Sequence, residues 1–109
     1  GITLNAEPDE TLNSYWMTTV VVDRKYRVNK FALMDALDRH GIDSRPFFSP
    51  LTSLQAFSNY PMAHKAPTVN PTAYGIADYG LNLPSGLNLM EDEVQRVAAN
   101  FMDILRRAE

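Results

Sequence analysis

The amino-acid sequence predicts an α+β domain: a small antiparallel sheet of about three strands with helices packed on one face. Three observations carry that expectation. Residues 14–22 are rich in β-branched and aromatic side chains and read as a strand. Residues 29–40 and 91–107 each carry an apolar stripe at helical spacing. The predicted order is strand, helix, strand, loop, helix, strand, helix, which short antiparallel strands under a helical layer satisfy.

Taken in order, residues 1–12 hold Pro8, three acids and little periodicity, and read as a linker or frayed arm. The domain proper is expected over 13–109. The first strand ends in Val20-Val21-Val22, a run suited to burial on both faces. A polar turn follows at 23–26. Asn29 is a good N-cap for a helix reaching about His40, with Leu33, Ala36, Leu37 and His40 on one stripe. Gly41 is placed to end it in the left-handed conformation. Residues 42–47 read as a second strand, cut short by Pro46. Residues 48–70 are irregular, with prolines at 50, 61 and 67 and room for one helical turn within 52–60. Asn70-Pro71 starts a helix, cap then proline, that runs to Tyr79 and stops at Gly80. Residues 81–83 form a short third strand. The last helix spans about 91–107, its apolar face built from Val94, Val97, Ala98, Phe101, Ile104 and Leu105. Acids at its start and arginines at its end suit the macrodipole.

The 109 residues fit one domain, and 45% hydrophobic content fills one modest core. No apolar run approaches the roughly 20 residues that cross a bilayer. No secretory signal pattern is read at the N-terminus. The chain has no cysteine, which removes disulfides and thiolate metal sites and fits a cytoplasmic protein. Net charge is −3, and the small clusters Arg24-Lys25-Arg27 and Arg106-Arg107 read as solvated structural charge, not a nucleic-acid stripe. His40 and His64 make no metal-ligand spacing with any acid. There is no Ser-His-Asp order of note and no glycine-rich phosphate loop. The opening on Gly1 without methionine suggests a piece of a longer protein.

The segment 41–51, GIDSRPFFSPL, carries the most chemistry. Pro46 and Pro50 fix their own φ and restrict their predecessors, so Phe47 and Phe48 have a nearly preset backbone. An arginine beside two rings on a stiff loop suits a planar or anionic ligand. The plain alternative is two rings plugged into a core with Arg45 in solvent. A second segment, GLNLPSG at 80–86, lies before the last helix. With Asn13-Ser14-Tyr15-Trp16-Met17, Pro61-Met62-Ala63 and the Glu91-Asp92-Glu93 helix start, these motifs in this order resemble the C-terminal domain of the DegT-type sugar aminotransferases. The resemblance covers residues 13–105.

The resemblance implies the small C-terminal domain of an aspartate-aminotransferase fold, and an intact pyridoxal-phosphate enzyme acting on nucleotide-linked keto sugars, with glutamate the expected donor. It implies an N-terminal large domain on the same chain, a homodimer partner, and a nucleotide-sugar substrate; no nucleic-acid or membrane partner is expected. The loop at 45–52 would close over the sugar-nucleotide side of the site. Arg45 would meet an anion or hydroxyl, Phe47 and Phe48 form an apolar wall, and Thr52 or Ser53 donate a hydrogen bond. Many members have histidine where this chain has Thr52. Asn82, Pro84 and Ser85 would form a second polar corner, although Ser85 also reads as a turn residue. Tyr15, Trp16 and Met17 belong to the contact surface with the rest of the enzyme, or Trp16 is core. The family pattern puts the last helix's N-cap on Met90; Asn88, with Glu91 as capping-box partner, is the alternative. Lys25, Lys30 and Lys65 are the only lysines, and none stands in the family's S-F-x-x-x-K setting. The catalytic lysine and cofactor are therefore expected outside this chain, which would not transaminate alone. The rival reading is a stand-alone α+β interaction or small-ligand module.

Overall fold

The computed structural model of the chain describes residues 1–108. Its strands are β1 (Ile2–Leu4), β2 (Thr18–Val22), β3 (Arg45–Pro46) and β4 (Gly80–Leu83). Its helices are α1 (Lys30–Asp38), α2 (Pro61–Val69), α3 (Pro71–Tyr79) and α4 (Glu91–Arg107). The strands form one antiparallel sheet in the order β1-β2-β4-β3. The α+β class holds, with one strand more than expected.

The extra strand comes from the supposed arm. Ile2 and Leu4 pair with Val22 and Val20. The Asn5 side chain then continues the ladder: its Oδ1 accepts from the Thr19 N–H at 2.8 Å and its Nδ2 donates to the Met17 carbonyl at 3.1 Å. Three residues are too few to show a period, so this pairing was invisible in the sequence.

Residues i and i+2 of a strand share a face. Val20, Val22 and Leu81 point to one face, where α1 and α4 cover them. Leu33 and Leu37 of α1, Ile42, and Val97, Phe101 and Leu105 of α4 complete that core. The opposite face carries Thr19, Val21, Gly80, Asn82 and Arg45, as the register dictates. α3 leads directly into β4, and its Ile76 carbonyl accepts from the Gly80 N–H.

Local chemistry explains the helix ends. The Asn29 side chain accepts from the Ala32 N–H at 2.9 Å, as a cap should. At the other end Gly41 has φ +66°, its N–H bonds the Asp38 carbonyl at 2.8 Å, and the Ile42 N–H reaches back to Leu37 at 3.0 Å. This is a Schellman closure, with Leu37 and Ile42 as its buried apolar pair. It stops the regular helix at Asp38, short of His40, and makes Ile42 a cap residue instead of the start of a strand. Arg96 of α4 donates to the His40 carbonyl at 2.9 Å and ties the two helices together. At α4 the Glu93 carboxylate accepts from the Met90 N–H at 2.8 Å, so the helix is capped at Met90 and not earlier at Asn88.

Other expectations are corrected. The strand expected over 14–22 begins only at Thr18, because Asn13 Oδ1 accepts from the Tyr15 N–H at 2.9 Å and Tyr15 takes φ +48°. That turn bends the chain before the sheet. Residues 48–70 are not a plain loop. Short 3-10 turns at Leu51–Ser53 and Gln55–Phe57 replace the single expected helical turn, and α2 follows them. Pro61 sits harmlessly at the first helical position, whereas Pro67 removes one intrahelical bond. Within α2 only Ala66 is buried, so no apolar stripe announced it. His64 and Lys65 are therefore helical. Asn70-Pro71 does start the helix that runs to Tyr79 and stops at Gly80, as expected, but Asn70 makes no side-chain cap bond.

Candidate functional site

The second sheet face and the loop after β3 hold the candidate residues. Arg45 pairs directly with Asn82 across β3 and β4, which places both on the sheet face opposite the α1–α4 core. The Arg45 guanidinium lies 3.1 Å from the Asp43 carboxylate, and both are largely in solvent. That ion pair is worth little in water and leaves most guanidinium donors free. Asn82 is 6% exposed, and its Oδ1 accepts from the Thr19 hydroxyl at 2.8 Å. This bond fixes the amide so that its NH₂ is the remaining donor. Ser85 joins these two around a concavity of about 230 Å³, with Met17 and Pro84 as its apolar walls. Two segments far apart in sequence thus bring a guanidinium, an amide and a hydroxyl to one hollow.

Ser44 also lines this hollow, and sequence reasoning did not single it out. Its hydroxyl is buried and has no partner among the described residues, and a buried unpaired hydroxyl costs about 1–3 kcal/mol. A short alternating segment offers no signal for it.

Phe47 and Phe48 divide their roles. Phe47 is half-buried against Gly80, where its Cβ lies close to the glycine. Phe48 is exposed and meets Trp16, the ring centroids 6.5 Å apart and the planes 17° from parallel. Trp16 is 69% exposed, which overturns the reading of it as core. Both phenylalanines line a second concavity of about 640 Å³ against Pro50, Asn70 and Thr72. The reading of two buried plugs fails for Phe48.

Thr52 and Ser53 line neither hollow. The Thr52 hydroxyl shares a hydrogen bond with the Tyr74 hydroxyl at 3.1 Å, which docks the loop on α3. Ser53 donates to the Pro50 carbonyl at 2.7 Å and closes its own turn. Tyr15, beside Trp16, hydrogen-bonds the Glu7 carboxylate. That bond raises the Tyr15 pKa above its ordinary value, with small further contributions from desolvation and the Glu7 charge, so the hydroxyl keeps its proton.

The lysines lie on separate surfaces. Lys25 sits over the Tyr26 ring, Lys30 contacts the Ala77 carbonyl, and Lys65 is exposed on α2. None lines either hollow, and Lys30 borders a separate one with Arg24, Arg27 and Tyr79. Among the described residues no group of three acids or histidines could hold a metal, and no helix is long and apolar enough to cross a membrane.

The fold is shared with sugar aminotransferases of known structure. A putative sugar aminotransferase, Spr1654 from Streptococcus pneumoniae, in a PMP form, superposes over 99% of this chain and 27% of its own, with a TM-score of 0.82 at 23% identity. DesI, solved in the presence of its TDP-sugar product, superposes over 98% of this chain and 26% of its own, with a TM-score of 0.82 at 25% identity. The model of the DegT/DnrJ/EryC1/StrS aminotransferase family matches residues 1–102, and the chain belongs to that family. A GDP-perosamine synthase from Vibrio cholerae is 33% identical over 94 residues, which make up 86% of this chain and 24% of the relative. Another, from Caulobacter vibrioides, is 32% identical over 91 residues, or 84% and 23%. The chain therefore spans about a quarter of the length of the curated relatives it matches.

Proposed function

We propose that this chain is the C-terminal, substrate-side domain of a pyridoxal-phosphate-dependent aminotransferase acting on a nucleotide-linked keto sugar. The observation that carries the reading is the convergence of Arg45, Asn82 and Ser85 on one hollow in a chain of this family. The two perosamine synthases and the sugar-product complex support a nucleotide-sugar substrate. When bound, pyridoxal phosphate supplies the electron sink for amino transfer. Its lysine and phosphate site fall in the part of the enzyme outside this chain, as the placement of Lys25, Lys30 and Lys65 supports. Here Arg45 holds an anionic or hydroxyl group of the substrate, Asn82 and Ser85 orient the sugar, and Phe47 and Phe48 exclude water. Thr52 and Ser53 hold the loop and stand ready to donate only if it opens. The apolar side chains left in solvent at Leu51, Leu54, Tyr60 and Met62 form the surface for the large domain and the dimer partner. The lack of cysteine fits a cytoplasmic setting.

The test is an absorption spectrum of the natural full-length product before and after borohydride. A coenzyme band that borohydride fixes to a lysine outside these 109 residues upholds the reading. A product that stays colourless with added pyridoxal phosphate removes the enzyme and leaves the stand-alone ligand-binding module. In the intact enzyme, Arg45→Ala is expected to raise KM for the nucleotide sugar about tenfold or more, the loss of one charge-assisted hydrogen bond. The denaturation midpoint should not move, because the side chain is in solvent. Unchanged kinetics would remove Arg45 from the site.

A further inference from the structure

The hollow beside the two phenylalanines encloses about 640 Å³, within the roughly 300–1,000 Å³ of ordinary ligand pockets. Its lining matches such a pocket as well. Phe47, Phe48, Pro50 and Ile76 give apolar walls, and Asn70 and Thr72 bring an amide and a hydroxyl.

The polar side of this hollow is fixed by its backbone. Asn70 joins α2 to α3: its N–H donates to the Ala66 carbonyl at 2.8 Å, and its carbonyl accepts from the Tyr74 N–H at 3.3 Å. Its side chain makes no cap bond. Neither the Asn70 amide nor the Thr72 hydroxyl has a hydrogen-bond partner among the described residues, and both residues are exposed. The aromatic side is docked on the same helix, because Thr52 hydrogen-bonds Tyr74 at 3.1 Å. Trp16 does not line the hollow. It stacks on Phe48, with centroids 6.5 Å apart and planes 17° from parallel, and supports that ring.

The hollow also stands in a fixed relation to Arg45. The Phe47 N–H donates to the Gly80 carbonyl at 3.0 Å and continues the β3–β4 ladder. Arg45 and Phe47, two residues apart along it, therefore share the sheet face opposite the α1–α4 core. A cation and an aromatic wall on one face fit the phosphate and the base of a single ligand.

We propose that this hollow receives the nucleobase of the substrate, with Phe48 as its stacking surface and Asn70 and Thr72 as the groups that read its edge. The inference rests on the sugar-nucleotide reading above and deepens it. The related proteins are named for GDP and TDP sugars. Guanine and thymine each carry an N–H beside a carbonyl. One amide answers both, its carbonyl accepting from the N–H and its NH₂ donating to the carbonyl.

The test is calorimetry on the natural full-length enzyme. Guanosine diphosphate and thymidine diphosphate are the probes, and inorganic pyrophosphate, which has no base, is the control. Asn70→Ala is expected to weaken nucleotide binding about tenfold, the scale of a lost pair of hydrogen bonds to a base edge. Pyrophosphate binding and the denaturation midpoint should not change, because the amide makes no bond within the fold. Phe48→Leu, which keeps bulk but removes the ring, should give the same split, the loss of one base stack. Arg45→Ala should instead weaken nucleotides and pyrophosphate alike. Nucleotide affinity unchanged in Asn70→Ala and Phe48→Leu, or pyrophosphate weakened as much as the nucleotides, would overturn the base site. If that enzyme still carries its coenzyme and aminates a nucleotide sugar, the aminotransferase reading survives. A product with neither a coenzyme band nor nucleotide binding removes both.

Discussion

Replacing Phe101 by alanine is expected to remove about 3–5 kcal/mol of folding stability, the usual cost of deleting a buried phenylalanine. The ring is 3% exposed and belongs to the cluster that joins α4 to Val20 and Leu81 of the sheet. Domains of this size hold about 5–15 kcal/mol in total, so much of the folded state's margin would go. With a urea m-value of about 1.5–2 kcal/mol/M, the midpoint should fall by about 2 M, read by circular dichroism. Val94→Ala on the same apolar stripe is the control. Val94 is 52% exposed, and its loss should cost about 1 kcal/mol or less. Equal costs for the two would mean that α4 does not sit on the sheet through Phe101.

Gly80→Ala is the second large effect. The backbone there is ordinary extended strand, with φ −94° and ψ 143°, so conformational strain is not the reason. Space is. A Cβ at this position would lie 2.6 Å from the Ile76 carbonyl oxygen and 2.9 Å from the Phe47 Cβ. The carbonyl belongs to the last turn of α3 and already accepts the Gly80 N–H, so it cannot move far. Phe47 would have to move, and with it the loop that carries Phe48. Overpacking of this kind costs about 1–3 kcal/mol. The denaturation midpoint should drop accordingly. A variant with the wild-type midpoint would show that the helix end gives way and that Gly80 does not set the position of Phe47.

The regular elements were legible where they announce themselves locally. Asn29 and Gly41 bound α1 through their own side-chain and backbone chemistry. α4 was legible from six apolar positions at helical spacing, acids before and arginines after. Elements whose reason lies elsewhere in the chain were not. β1 exists because Val20 and Val22 offer a partner, and α2 is too exposed and too rich in proline to show a stripe. At the site, Arg45 and the phenylalanine pair stood out as residue types on a stiff loop. The convergence of Arg45 with Asn82 and Ser85 depends on the β3–β4 register, which no local pattern encodes.

Trp16 shows where the division falls. The motif around it was readable, yet whether the indole is core or surface depends on a turn at Tyr15 that delays the start of the strand to Thr18. The α+β class, the start of α1, both ends of α3, the apolar face of α4 and the family-like motifs could be read from the chain alone, because these follow from short-range backbone and side-chain preferences. The fourth strand, the polar hollow and the Trp16–Phe48 stack appear only in three dimensions, because each is made by residues that meet through strand register and packing across long stretches of chain.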